Sequence, residues 1–294
     1  MTGPASTPST RPARLADITG RYLYLEVLGV EYRVYFEEAG EGVPVVLQHT
    51  AGCDGRQWRH LLEDPDFTSR YRLIAVDLPF HGRSLPPVSR RWWTEEYKLR
   101  LDFLLAFYAA LVDALELDRP VYAGVSLGGH LAPDLALHHP GLFRAAIGFG
   151  AAMATHGADR FAAWFHHPRI SNDSKPAMMY TGCAPQSPEP YKRETAYIYS
   201  QGAPPVLRGD VHYYFSEHDF TETAKAIDTS RTALHVVSTE YDWPSPPAGS
   251  AALAAEVEGA TYTHIDGIGH FSMSENPEVF KKHFLPILDE AARA

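Results

Sequence analysis

Residues Gly124-Val125-Ser126-Leu127-Gly128-Gly129 match the pattern G-x-S-x-G. The pattern alone arises easily by chance, and its setting gives it chemical meaning. Pro120 to Ser126 (PVYAGVS) has the composition of a buried strand, and Leu127 to His139 reads as a helix ended by Pro140-Gly141. A sharp turn between the two would hold Ser126 in a strained conformation with its hydroxyl clear of the sheet. Gly124 and Gly128 remove side chains where neighbouring backbone would come too close. The first amides of the helix, that of Leu127 among them, have no intrahelical acceptor and face developing negative charge. This is the chemistry of a nucleophilic serine; the plainer alternative is a capping serine at a Gly-rich helix entry.

The elements that would position such a serine alternate along the chain. Tyr22 to Val27 and Glu31 to Glu37, with Gly29 between them, predict an antiparallel hairpin. Val43 to Gln48 and Tyr71 to Leu78 are continuous apolar runs, as in strands buried on both faces. Arg56 to Leu62 suits a short helix, Thr94 opens a long helical stretch through Leu115, and Phe143 to Ala152 is again apolar. After an irregular middle come Thr232 to Thr239, Ser250 to Glu258, Thr261 to Ile265 and a final helix from Asn276 to Ala291. The alternation predicts an α/β fold, a mainly parallel sheet with helices on both faces. Residues 1–18 read as a disordered tail, 19–155 and 228–294 as one core, and 156–227 as an insertion between two sheet strands.

With the serine turn and this element order, the chain resembles the α/β-hydrolase superfamily from about Leu23 to Leu288. The resemblance implies an eight-stranded type of sheet, a helical lid insertion, and partners that follow the serine in the order acid, then histidine. A serine hydroxyl needs a base within hydrogen-bond reach. Among 15 histidines, His270 in IDGIGHFSMSENP lies in a Gly-flanked loop after the last strand, where the family places its base. His138, His235 and His264 fall within predicted helices or strands. The base needs an acceptor to fix its tautomer. Asp242 in VVSTEYDWPSPP follows a strand, where family members commonly carry an Asp, and Glu240 is the alternative.

The resemblance also implies a second oxyanion donor in the loop after the third strand. Here that loop reads Gln48-His49-Thr50-Ala51-Gly52-Cys53-Asp54, with Thr50 where a Gly is usual. By position the Ala51 amide partners that of Leu127, and the Thr50 departure leaves the neighbours of Ala51 open. His49 is read as holding the loop at the edge of the pocket, and Cys53 as a wall residue beside the site. Asp77-Leu-Pro-Phe-His81-Gly-Arg-Ser84 is similar to a family turn that shapes the backbone, with His81 as a further candidate to face the pocket.

The insertion is rich in aromatics and histidines, from Trp164 and Phe165 through Tyr199 to Tyr213, Tyr214 and His218. An aromatic wall with a few polar tips suits a mid-sized, partly apolar substrate, with Trp164 and Tyr214 as candidate pocket residues. Arg208-Gly-Asp210-Val-His212 and His218-Asp219 fit no metal-ligand spacing, so no metal and no cofactor is expected.

Composition narrows the partners. With 26 Lys+Arg against 36 Asp+Glu the formal charge is −10, which disfavours nucleic acid and gives no steering for anionic substrates. Two distant cysteines make no disulfide scaffold. There is no apolar run long enough for a membrane span and no secretory h-region, so a cytoplasmic protein acting on a small neutral molecule is expected, with its oligomeric state open.

The leading expectation is therefore a serine hydrolase of carboxylic esters, thioesters or lactones. Superfamily dehalogenases and epoxide hydrolases use an Asp where this chain has Ser126. Carbon–carbon bond hydrolases and acyltransferases use the same three residues and stay open. A non-catalytic receptor on this fold would sooner carry a degraded triad.

Overall fold

The computed structural model describes residues 13–155 and 164–294. The expected tail falls largely outside that range, as do the first residues of the expected insertion. The sheet has eight strands in the order β1-β2-β4-β3-β5-β6-β7-β8. These are β1 (Thr19–Val27), β2 (Val30–Ala39), β3 (Val43–Gln48), β4 (Tyr71–Val76), β5 (Val121–Val125), β6 (Ala145–Phe149), β7 (Ala233–Tyr241) and β8 (Thr261–Gly269). The first two strands form the antiparallel hairpin, β2 meets β4 antiparallel, and every later pairing is parallel.

The central strands read as unbroken apolar runs because both faces are covered. On one face Val45, Leu47, Ala123, Val125 and Ile147 pack with Trp58, Phe280 and Phe284. On the other, Val46, Ile74, Tyr122 and Ala146 pack with Leu104, Phe107, Leu111 and Leu131. Val45 and Val46 thus serve opposite cores, as the two-residue period of a strand requires. The first face is covered by short helices α1 (Arg59–Leu62) and α2 (Pro65–Thr68) and by α10 (Pro277–Ala291). Helix α10 buries Phe280, Phe284, Ile287, Leu288 and Ala291, one stripe at helical spacing. The second face carries α3 (Leu101–Ala114), α4 (Leu127–His138) and α8 (Pro247–Glu256). Between β6 and β7 the described chain forms α5 (Ser174–Thr181), α6 (Glu189–Ser200), α7 (Val206–His212) and a π turn, Tyr213–Glu217. A one-turn helix α9 (Ser272–Glu275) precedes α10.

One expected boundary moves. The sequence pattern predicts a helix from Thr94, but α3 begins at Leu101, after an Arg100 in extended conformation (φ −123°, ψ 151°). Partners outside the segment hold it open. Leu99 N donates to Gly209 O at 3.0 Å, Leu101 N to Glu217 Oε2 at 2.6 Å, and Tyr97 OH to Asp210 Oδ1 at 2.9 Å. Tertiary bonds override a local preference of a few tenths of a kcal/mol per residue. Among the described residues no helix is long and apolar enough to cross a membrane.

Candidate active site

Strands β5, β7 and β8 deliver Ser126, Asp242 and His270 to one edge of the sheet. Ser126 stands between β5 and α4 with φ 58° and ψ −113°, a conformation an L residue adopts only under strain. Its amide donates to Phe149 O at 3.0 Å, which locks the turn to β6. The flanking glycines are required by contact: a Cβ on Gly124 would lie 2.5 Å from Gly128 C, and one on Gly129 would lie 2.0 Å from Phe149 O.

His270 and Asp242 are both buried, and His270 Nδ1 donates to Asp242 Oδ1 at 2.7 Å. That bond leaves Nε2 as the basic nitrogen. Ser245 N donates to the same Asp242 oxygen at 2.8 Å, and Gly150, at φ 72°, makes room for the carboxylate. Glu240 sits at the bulge in β7, exposed, and accepts from Gly267 N at 2.7 Å, so it does not face His270. The His270 loop is clamped by a residue that the sequence does not single out. Glu275, fully buried, accepts from Gly269 N at 2.6 Å and Phe271 N at 3.3 Å, the amides on either side of His270. It also accepts from Ala184 N at 3.1 Å and Ser187 Oγ at 2.9 Å, in the segment between β6 and β7.

Ser126 and His270 share a cavity of about 270 Å³ with Ala51, His130, Tyr199, Leu207, Tyr214 and Phe271. The Tyr214 phenol lies beside the Ser126 hydroxyl in this cavity. Of the expected wall residues, Tyr214 lines this cavity, while Trp164 is 64% exposed and its neighbour Phe165 lines the cavity instead. His49 and Cys53 are buried outside it. His49 Nδ1 donates to Thr50 O at 2.8 Å and its Nε2 accepts from Leu78 N at 3.2 Å, so the ring braces the loop. Burial pushes the Cys53 thiol well above its ordinary range, which keeps it protonated.

In the loop after β3, Thr50 N donates to Gln57 Oε1 at 3.0 Å and Gly52 N to Asp210 Oδ2 at 2.6 Å. The Ala51 amide between them has no partner among the described residues. Leu127 opens α4, where its amide has no intrahelical acceptor. These are the two amides that sequence position selects. The Asp77 turn is structural: its carboxylate accepts from Gly55 N and Arg83 N, each at 2.8 Å. Burial and the nearby Asp54 push the Asp77 carboxyl up to about 7. His81 faces away from the cavity and donates to Pro79 O at 3.0 Å and Asp210 Oδ2 at 2.8 Å. Burial depresses this imidazole, but the Asp210 carboxylate outweighs it and leaves the pKa raised.

His130, which the sequence reading did not weigh, also lines the cavity. Its Nδ1 donates to Ser126 O at 2.9 Å, and its Nε2 lies 3.3 Å from Thr155 Oγ1. Burial and the neighbouring His218 hold it down to about 3. His218 cannot act as a base, because Asp134 Oδ2 and Ala152 O occupy its two nitrogens at 2.7 and 2.8 Å. Among the described residues no group of three or more His, Cys, Asp or Glu could hold a metal ion.

The buried histidines make stability depend on pH. Burial and nearby His81 hold His49 down to about 4, so His49 and His130 stay neutral when unfolded histidines begin to protonate near about 6.5. The unfolded chain then binds more protons, so this stability is complete above about pH 6.5 and is lost as pH falls toward the folded values. Each histidine costs about 2 kcal/mol by about pH 5. His81 acts oppositely, and its contribution is lost only as pH rises through its raised pKa. Urea midpoints measured between about pH 6.5 and 5 should fall, and His49→Gln should make that slope shallower by about one proton.

Comparison with known proteins agrees with this architecture. A family model described as the alpha/beta hydrolase fold matches residues 43–182. A 2-hydroxy-6-oxo-2,4-heptadienoate hydrolase of Pseudomonas putida is 30% identical over 154 residues, covering 50% of this chain and 51% of that protein. A 2-hydroxymuconate semialdehyde hydrolase of a Pseudomonas species is 27% identical over 151 residues, covering 50% of each. The chain thus spans about half the length of the curated relatives it matches. A thermophilic esterase from Thermogutta terrifontis superposes with a TM-score of 0.77 at 18% identity, covering 92% of this chain and 99% of that one. An enol-lactonase from Burkholderia xenovorans gives 0.76 at 18%, covering 91% and 100%. At such identities the structures speak to the fold alone. The chain has the α/β-hydrolase fold.

Proposed function

We propose that this chain is a serine hydrolase that cleaves a small to mid-sized, neutral carboxylic ester, thioester or lactone. The observation that carries the reading is Ser126, at a strained strand-to-helix turn, sharing a cavity with a histidine whose Nδ1 is held by a buried carboxylate. In this reading Ser126 Oγ attacks the substrate carbonyl while His270 Nε2 takes its proton. The π electrons move onto the carbonyl oxygen, which the Leu127 and Ala51 amides receive. His270 returns the proton to the leaving alcohol, and a water activated by the same nitrogen frees the acyl group. Asp242 keeps His270 in the required tautomer and stabilises the imidazolium. The segment between β6 and β7 serves as the lid, and no cofactor enters.

The choice of a neutral substrate rests on the cavity lining, which includes no Arg or Lys among the described residues. A carboxylate there would lack a charge partner in an apolar wall. The lining also offers an acceptor, His130 Nε2 beside Thr155 Oγ1, which favours a hydroxyl or N–H donor on the substrate. A second reading, carbon–carbon bond hydrolysis of a vinylogous diketone, is supported by relatives matched over about half of their length and named as hydrolases of 2-hydroxy-6-oxo-2,4-heptadienoate and of 2-hydroxy-6-oxononadienedioate. A panel of short neutral esters, lactones and vinylogous diketone acids separates the two. Turnover of esters or lactones at a kcat/KM at least about tenfold above the diketone acids is expected. The opposite order would replace the first reading by the second.

A further inference from the structure

The loop that carries the Ala51 amide is held in place by residues that belong to neither β3 nor its neighbours in the sheet. Thr50 Oγ1 shares a hydrogen bond with Tyr199 OH of α6 and also donates to Gln57 Oε1 at 3.0 Å. Gly52 N donates to Asp210 Oδ2 of α7 at 2.6 Å, across 158 residues of sequence. Both contacts are buried, and Asp210 is fully so. The packing agrees with the bonds. Gly52 has φ +67°, and a Cβ there would lie 2.5 Å from Leu207 Cβ of α7. A Cβ on Gly202, in the turn between the helices, would lie 2.5 Å from Gly52 O. Asp210 is itself over-determined, since His81 Nε2 donates to Oδ2 at 2.8 Å and Tyr97 OH to Oδ1 at 2.9 Å.

We propose that Tyr199 and Asp210 are positioning residues for the oxyanion donor: by fixing Thr50 and Gly52 on either side of Ala51, they aim its amide at the developing negative charge. This rests on the serine-hydrolase reading above. It accounts for two features of the loop together. Thr50 replaces the usual glycine because its hydroxyl is the docking point for Tyr199, and Gly52 follows because Leu207 and Asp210 leave no room for a side chain. The oxyanion hole is then complete only when α6 and α7 are seated on the core. An amide displaced by about 1 Å loses about two orders of magnitude in rate, because its value lies in preorganisation.

The test compares ground-state and tetrahedral binding. A trifluoromethyl ketone shaped like the substrate accepts Ser126 Oγ at its carbonyl carbon, the π electrons pass to oxygen, and the serine proton passes to His270. The matching methyl ketone binds largely without this step. Asp210→Ala and Tyr199→Phe should each lower kcat by about 10- to 100-fold and leave KM within about twofold. The inhibition constant of the trifluoromethyl ketone should rise by the same factor as kcat falls, while that of the methyl ketone stays within about twofold. Asp210→Asn, which keeps an acceptor for Gly52 N, should recover part of the loss. Tyr199→Phe removes one hydroxyl and keeps the ring, so it serves should Asp210→Ala fail to fold. Folded variants with unchanged kcat and unchanged trifluoromethyl ketone affinity would overturn the proposal, as would an equal loss of affinity for both ketones. A wild-type protein that forms no ketone adduct and turns over no ester overturns the hydrolase reading itself, and this inference with it.

Discussion

Ser126→Ala should lower ester turnover by at least about 10⁴-fold and abolish covalent labelling by a fluorophosphonate, with the fold unchanged. Such a factor corresponds to about 5.5 kcal/mol of barrier. The expected size follows from the site. Among the described residues that line the cavity no other group has a comparable setting: Tyr214 has its phenol pushed up by burial, Ser245 lies beyond β7 with no histidine contact, and Thr155 sits on no strained turn and meets only His130, whose burial holds it down to about 3. The oxyanion amides and the pocket would remain, so a small residual rate over water is expected. The backbone strain at φ 58° also remains, because alanine has the same Cβ. Stability should therefore change little, and urea unfolding alongside kinetics separates lost chemistry from lost structure. Labelling of the folded alanine variant at the wild-type rate would place the nucleophile elsewhere.

Asp242→Asn should cost about 10⁴-fold in kcat, whereas Glu240→Gln should stay within about twofold. Asp242 Oδ1 accepts from both His270 Nδ1 and Ser245 N. An asparagine that turns its amide N–H toward His270 stabilises the wrong tautomer, leaving Nε2 protonated and unable to take the serine proton. Glu240 is exposed and bonds only the Gly267 amide among the described residues, a contact whose loss is local. The two variants measured side by side under identical conditions give the ranking directly. Equal losses, or a larger loss for Glu240→Gln, would reassign the acid.

Much of the fold was legible because burial on both faces writes itself as continuous apolar runs. Val43–Gln48 and Tyr71–Val76 coincide with β3 and β4 within two residues of the sequence reading. Ser126 was legible because a strained turn needs Gly124, Gly128 and Gly129 around it, and glycines at fixed spacing are visible in any sequence. His270 and Asp242 were legible by their places after β8 and β7. What was not legible depends on partners far away in the chain. Asp210 reads from sequence as a metal ligand or a maker of hydrogen bonds within the insertion, yet its carboxylate reaches across to Gly52, His81 and Tyr97. Glu275 looks like an ordinary acid opening a final helix until the fold brings Ala184 and Gly269 to it. Trp164 was chosen on aromatic composition, which does not say which side of a helix faces inward; Phe165 is the one that does. The helix expected from Thr94 fails for the same reason, since Gly209 and Glu217 claim the amides of Leu99 and Leu101.

The shared carboxylates also limit how this scaffold can be recombined. The segment between β6 and β7 is no detachable module, because its bonds to the core run both ways. Here Asp210 supplies that segment's charge to His81, and Glu275 supplies the core's charge to Ala184 and Ser187. A transplanted segment lacking these groups would leave an unmatched imidazole in one place and an undersatisfied carboxylate in the other. Unpaired buried groups of that kind cost about 1–3 kcal/mol each, more when charged, against a total stability of only about 5–15. A workable chimaera must therefore carry the Thr50–Gly52 loop, His81 and Glu275 together with the helices that meet them, so the natural unit of exchange crosses the boundary that the chain order draws.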